Sequence, residues 1–239
     1  RKTVGDSVPN IPANIVSRIL IDVLSGLHAA HELVDDQQVA LNVVHRDVSP
    51  QNIIVGVDGV SRVIDFGVAK AAHRITKSES GDIKGKYGYM SPEQASGLDV
   101  DRRTDVFAAG VVLFETLTNQ RLFAGENPMD SVNRVLNVPL PDFGSTAGVP
   151  PSLAAVLKRA LDRNRQRRFT DALKCAEAIE EGVPPASHRQ VADFVREHCG
   201  QLLLNRRAYL DDSRRRTMTG PRTPRTRAPA PEAPVDAAE

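Results

Sequence analysis

From Ile15 to Leu33 the apolar residues Ile15, Val16, Ile19, Leu20, Val23, Leu24 and Leu27 recur at three- and four-residue steps. That spacing predicts an amphipathic helix facing a core, beginning near Pro12. The pattern then changes period. Val43-Val44, the stretch from Ile53 to Val57, and Arg62-Val63-Ile64 are short β-branched runs, and Asp58-Gly59 between the last two is a turn dipeptide. Three small strands are expected here, the last two as a hairpin. From Asp105 to Leu117 the segment is apolar on almost every face, which predicts a helix buried all round. Further helices are expected from Ser152 to Leu161, beside Pro150-Pro151, and from Thr170 to Glu181, ending at Gly182.

Ser187 with Gln190 three residues later forms a capping box, opening a helix whose stripe is Val191, Phe194, Val195, His198 and Leu202. From Ser213 onward Arg, Thr, Pro and Ala dominate, too few large apolar groups to offset chain entropy, so a disordered tail is expected. The pattern therefore divides the chain into a mainly helical α+β domain over 1–182, a helical extension over 183–212 and a tail over 213–239.

Composition narrows the function classes. Lys plus Arg number 31 against 30 Asp plus Glu, so no global field points to nucleic acid or a membrane surface as partner. Cys175 and Cys199 lack metal-site spacing and are too few for a disulfide framework, which fits a reducing cytoplasm. The longest unbroken apolar run, Val106 to Phe114, falls short of the roughly 20 residues of a spanning helix. No signal peptide opens the chain, and Arg1 in place of a methionine leads us to expect a missing start.

Candidate chemistry clusters around the hairpin. A two-residue turn at Asp58-Gly59 would set Val57 opposite Val60 and, stepping outward, Asn52 opposite Asp65. Cross-strand Cβ atoms lie about 5 Å apart, so an amide and a carboxylate would share a hard cation through oxygen ligands, unless a bulge shifts the register. Asp47 precedes Asn52 on a loop stiffened by Pro50 and brings a second carboxylate toward whatever the cation holds. Two carboxylates and an amide so placed suit phosphoryl transfer.

The run His45-Arg46-Asp47-Val48-Ser49-Pro50-Gln51-Asn52 resembles the catalytic loop of eukaryotic-type protein kinases, and Asp65-Phe66-Gly67 resembles their magnesium-binding motif. Ser91-Pro92-Glu93 is similar to the end of the activation segment, Asp105 to Gly110 to the start of the buried central helix, and Arg168 to the arginine paired with the glutamate of that segment. The resemblance covers roughly residues 1–181, is closest to bacterial serine/threonine kinases, and implies the C-terminal lobe of such an enzyme.

The resemblance further implies that Asp47 accepts or orients the substrate hydroxyl proton, that Asn52 and Asp65 hold Mg2+ against the phosphates of ATP, and that Ile54 lies beneath the adenine. His45 and Phe66 would stack in a spine beside Gly67, Asp105 would brace the catalytic loop, and Glu93 would pair with Arg168. Arg46 would receive a phosphate from the activation segment, with Thr76, Ser78 and Ser80 as candidate acceptors. The partners implied are proteins presenting Ser or Thr. Gln51 stands where an acidic residue often accompanies a preference for basic substrates, so no strong requirement for arginine before the target is expected.

Two departures from the pattern stand out. The usual catalytic-loop lysine is Ser49, and the usual threonine after the activation-segment glycine is Lys86, an exchange in which Lys86 would supply the cation that Ser49 lacks. Neutral drift on a solvent-facing segment is the plainer alternative. Nothing before Ile15 corresponds to a Gly-rich loop or an ATP-pairing lysine, so the N-terminal lobe is expected to be absent and this chain alone to be inactive.

The rival readings are a pseudokinase or docking module and a basic tail that binds an anionic surface. A Ser-His-Asp hydrolase drawn from Ser49, His45 and Asp47 is disfavoured by their crowding on one short loop and by the lack of a G-x-S-x-G elbow. His28 and His31 read as packing or surface histidines, and the run from Arg163 to Arg168 as a solvated face with one structural arginine.

Overall fold

The computed structural model describes residues 10–66 and 86–218. Two bodies divide the chain, one up to His198 and one from Cys199 onward. Gly67, Thr76, Ser78 and Ser80 lie outside the described residues.

In the first body, helix α1 (Ala13–His31) starts at Pro12, whose missing N–H costs nothing at a helix entry. Its stripe Ile15, Val16, Ile19, Leu20, Val23, Leu24 and Leu27 is buried as the spacing predicts. Each such side chain contributes roughly 1.5–3 kcal/mol of burial. By length and composition α1 is apolar enough to cross a membrane. It nevertheless carries Arg18 and Asp22, and it packs on the helices at 103–118 and 172–182 and on the strand at 61–63, as a core helix does.

The hairpin that follows corrects the sequence reading. Strands β1 (Ile53–Val55) and β2 (Ser61–Val63) pair with Ile53 opposite Val63 and Val55 opposite Ser61. The loop is therefore three residues, Val57-Asp58-Gly59, rather than two. Gly59 N–H donates to Gly56 O and Gly56 N–H to Val60 O, both at 2.9 Å, and Gly59 takes φ 81°. This is a turn followed by a left-handed glycine, which shifts the register by one residue. Asn52 is consequently paired with Ile64, whose N–H donates to the Asn52 carbonyl at 2.9 Å, and not with Asp65. Val43-Val44 forms no strand, because the backbone that follows turns its donors toward Asp105 instead of a neighbouring strand.

Two of the helices bury few residues. The four-residue α2 (Pro92–Ala95) is closed by a capping box between Ser91 and Gln94. Helix α3 (Arg103–Thr118), by contrast, is the buried spine, with every residue from Thr104 to Phe114 and Leu117 buried. The second is α4 (Pro128–Asn137), which buries only Ser131 and Val135, although Met129, Val132, Val135 and Leu136 recur at three- and four-residue steps. Its start is also written locally, in the Asn127 side chain that accepts from Asp130 N–H and in Pro128 at the first position.

Gly110 of α3 lets α5 (Pro151–Ala160) approach closely: a Cβ there would lie 3.0 Å from the Ala160 Cβ. Helix α6 (Ala172–Gly182) is capped by Asp171, whose Oδ1 accepts from the Lys174 N–H at 2.8 Å, and it packs against α1 and α5.

Helix α7 (His188–Met218) begins at the predicted capping box, where Gln190 N–H donates to Ser187 Oγ and Ser187 N–H to Gln190 Oε1. The residues that lead into it are sewn to α1: Ser17 Oγ donates to Val183 O, Arg18 Nε to Ala186 O, and Ala186 N–H to Asn14 O. The boundary expected after residue 182 thus falls inside the first body. The helix also runs past the boundary expected at 212, since the arginines from Arg214 onward are good helix formers. In the second body Leu202, Leu204 and Tyr209 are exposed.

Candidate active site

The loop from His45 to Asn52 is held from beneath by one carboxylate. Asp105, fully buried in the first turn of α3, accepts the His45 N–H at Oδ2 and the Arg46 N–H at Oδ1, each at 2.8 Å. A carboxylate at this helix end is favoured by the dipole, and two backbone donors compensate its burial. A third bond comes from His31, whose Nε2 lies 2.8 Å from Oδ2. Sequence reasoning made His31 a packing or surface residue; it is a buried polar link from α1 to the carboxylate under the loop. Its position on an apolar face concealed that role.

His45 is buried and joins both halves of the site. Its Nδ1 accepts the Asp47 N–H at 3.2 Å, which leaves Nε2 as the donor to the Ile64 carbonyl at 3.0 Å. Its ring lies 4.6 Å from that of Phe66. Arg46 takes φ 66°, a left-handed conformation uncommon for a side chain of this size. Its backbone is pinned on both sides, by Asp105 at the N–H and by Gln94 Nε2 at the carbonyl, the latter at 2.9 Å. The next anchor is Val48, which is buried in the core.

Asn52 is buried at the end of the 3₁₀ turn Pro50–Asn52, and its Nδ2 donates to the Asp47 carbonyl at 2.7 Å. That bond fixes the amide orientation and leaves Oδ1 as the atom Asn52 has to offer a cation. Asp65 is exposed at φ 59°, again left-handed. These two oxygen donors fit a hard cation that keeps phosphate and water ligands. Among the described residues no group of three or more His, Cys, Asp or Glu forms a self-sufficient metal site. Ile54, on β1, is about half exposed.

Lys86 reaches the loop from a segment distant in sequence. Its Nζ lies 3.1 Å from Asp47 Oδ2. Ser49 is buried, and its hydroxyl has no hydrogen-bond partner among the described residues.

The support for this site is a buried ion pair. Arg168 donates through its two terminal nitrogens to Glu93 Oε1 at 2.7 Å and Oε2 at 2.8 Å. Thr104 Oγ1 adds a bond to Glu93 Oε1 at 2.8 Å. Burial pushes the Glu93 carboxyl up, but the hydrogen bonds and charge of Arg168 outweigh it and hold the group below the usual range. Arg163, grouped by sequence with a solvated face, is also structural, donating to the carbonyls of Val135, Arg134 and Val138. It closes the C-terminus of α4.

A further polar cluster lies near Pro50. Tyr89 donates to Glu115 Oε2 at 2.6 Å and accepts from Arg121 at 3.0 Å, and all three line a groove with Pro50. Burial, and then the Glu115 carboxylate, push the Tyr89 phenol well above its ordinary range.

A mainly helical lobe with a hairpin beside a braced HRD-type loop defines a class. Residues 5–181 match the protein kinase domain family, and the chain belongs to that family. Its relatives are of the bacterial, eukaryotic-like kind. It is 38% identical over 205 residues to the tyrosine-protein kinase MasK of Myxococcus xanthus, covering 84% of this chain and 32% of that protein. It is 33% identical over 171 residues to the serine/threonine-protein kinase PknL of Mycobacterium tuberculosis, covering 71% of this chain and 41% of that protein. With the serine/threonine-protein kinase PknB of Mycolicibacterium smegmatis it shares 32% over 215 residues, 86% of this chain and 32% of that protein. The chain spans between about a third and two fifths of the length of these curated relatives.

Proposed function

We propose that this chain is the C-terminal lobe of an ATP-dependent kinase that phosphorylates serine and threonine hydroxyls of proteins, with Asp47 as the residue that orients and deprotonates the hydroxyl. The observation that carries the reading is the immobilisation of Asp47. Its N–H is bound to His45, its carbonyl to Asn52, and the preceding peptide to Asp105. A carboxylate on a loop fixed at three points loses little freedom on meeting a substrate.

In the reaction the hydroxyl proton passes to Asp47. The substrate oxygen bonds to the γ-phosphorus as the bond to the bridging β-phosphate oxygen breaks, and ADP leaves. A magnesium ion bound by Asn52 Oδ1 and the Asp65 carboxylate would neutralise charge on the phosphate oxygens. Ile54 offers apolar surface for the adenine. Arg46, whose backbone is pinned at the start of the loop, would receive a phosphate carried on Thr76, Ser78 or Ser80.

The resemblance to MasK, named a tyrosine kinase, supports a second reading in which tyrosine is the acceptor. Pro50 in the catalytic loop and the relatives PknL and PknB favour serine and threonine.

The test joins this chain to an N-terminal kinase lobe and measures magnesium-dependent phosphate transfer to a generic basic protein, followed by identification of the phosphorylated amino acid. Transfer to serine or threonine that appears only in the joined enzyme and is lost in Asp47→Ala supports the reading. Phosphotyrosine overturns the choice of acceptor. A joined enzyme that binds no nucleotide and transfers nothing overturns the kinase reading in favour of a protein-docking module.

A further inference from the structure

Phosphoryl transfer builds negative charge on the transferring group, and a fixed cation beside it is among the most effective ways to lower the barrier. The loop from His45 to Asn52 contains a single arginine or lysine, Arg46. That residue precedes Asp47 and turns through a left-handed backbone. The residue two positions after Asp47 is Ser49, which is short, uncharged and 1% exposed, with a hydroxyl that meets no hydrogen-bonding atom among the described residues. The loop therefore brings no cation of its own to the side of Asp47 that follows it in sequence.

Lys86 stands beside Asp47 instead. Its ammonium is 3.1 Å from Asp47 Oδ2, and its side chain is 35% exposed, so it is only partly withdrawn from solvent. An ammonium has three donors, and one bond to Asp47 leaves others to turn toward a bound anion. The residue lies just before a run of fixed anchors: Tyr89 bonded to Glu115, and Ser91 bonded to Thr104, both partners on α3. The lysine is thus delivered by backbone tied to the same helix that braces the catalytic loop from beneath.

We propose that Lys86 is the cation of the phosphoryl-transfer site, orienting Asp47 through its ion pair and presenting positive charge to the phosphoryl group as it moves. The inference rests on the kinase reading above. It makes one residue of the activation side, rather than the catalytic loop, responsible for charge at the reacting centre. Any rearrangement that withdraws Lys86 from Asp47 then removes both the orientation and the charge together.

Two measurements test it. In the isolated chain, Lys86→Met should move the Asp47 side-chain carboxylate carbon resonance and leave that of Asp105 in place; an unmoved Asp47 resonance overturns the ion pair whether or not the protein is a kinase. In the chain joined to an N-terminal lobe, Lys86→Met should lower kcat by about 100-fold, the scale of removing one fixed donor at a developing charge. The KM for peptide and the affinity for a non-hydrolysable ATP analogue should stay put, and Lys86→Arg should recover most of the rate.

Lys86→Met turning over like the parent overturns the proposal. Lys86→Arg as slow as Lys86→Met also overturns it, because charge would then not be what the residue supplies. A joined parent that transfers no phosphate overturns the kinase reading and this inference with it, while the resonance experiment still reports on the ion pair alone.

Discussion

Arg168 and Glu93 are separated by 75 positions in the chain and joined by two hydrogen bonds of 2.7 and 2.8 Å, with Arg168 1% and Glu93 6% exposed. The guanidinium also donates to the carbonyls of Asp162 and Arg103, and it lies over the Phe107 ring. The pair therefore ties α2, α3 and the loop before α6 into one unit that supports the loop from His45 to Asn52. Burying such a pair contributes little by itself, but stranding one member leaves an uncompensated charge.

Arg168→Met should consequently destabilise the chain by roughly 3–5 kcal/mol, read from urea unfolding. Glu93→Leu combined with Arg168→Met should recover much of that loss. A double variant no more stable than the single one would show that the arginine's carbonyl bonds, not its ion pair, set its contribution.

The same pair makes a pH prediction. The folded-state pKa of Glu93 is lowered, so its contribution is fully present above the ordinary glutamate range and is lost as pH falls through the folded-state value. Unfolding free energy measured from neutral pH downward should fall less steeply in Glu93→Gln than in the parent over that acid window.

Asp105→Ala removes the acceptor for two backbone donors and for His31 Nε2. Each stranded buried donor costs about 1–3 kcal/mol. Amide exchange at His45 and Arg46 should accelerate by more than that at the centre of α5, and phosphate transfer in the joined enzyme should fall sharply. Unchanged protection at His45 and Arg46 would mean the loop is held by other contacts.

Two left-handed glycines should respond differently to the same substitution. Gly97 has φ 67° with nothing within 4 Å of where a Cβ would stand, so Gly97→Ala should cost only backbone strain, about 1–2 kcal/mol. At Gly59, φ is 81° and a Cβ would lie 1.8 Å from the His188 carbonyl oxygen, so the start of α7 must move. Gly59→Ala should lower the melting temperature more than Gly97→Ala; equal shifts would place the cost in the turn alone.

The two thiols should separate by accessibility. Burial pushes the Cys175 thiol up to about 12, and Cys199 is exposed. A disulfide reagent at mildly alkaline pH should titrate one thiol of the folded chain quickly and the second only on unfolding, with Cys199→Ser abolishing the fast phase.

Helix positions and chemical candidates were largely legible in the chain because they depend on local spacing. The face of α1 and the all-round apolarity of α3 need only a helical repeat, and Asp47, Asn52 and Asp65 stand in a motif whose order carries meaning by itself. Helix α4 carries the same kind of repeat in Met129, Val132, Val135 and Leu136 beside its Asn127 cap, and the sequence reading passed over it.

What tertiary structure decided are the relationships that local spacing does not encode. The hairpin register turned on whether Asp58-Gly59 closed a two- or three-residue loop, and Gly59 settled it by taking the left-handed position that also admits the start of α7. His31 on an apolar helix face became a hydrogen-bond partner of Asp105 only when α1 packed against α3. Lys86 met Asp47 across 39 residues. By itself the sequence determined which elements form and which side chains carry chemistry, since propensity and motif are short-range properties. Packing determined which of those side chains meet, because a contact between distant segments exists only once a shared core brings their backbones together.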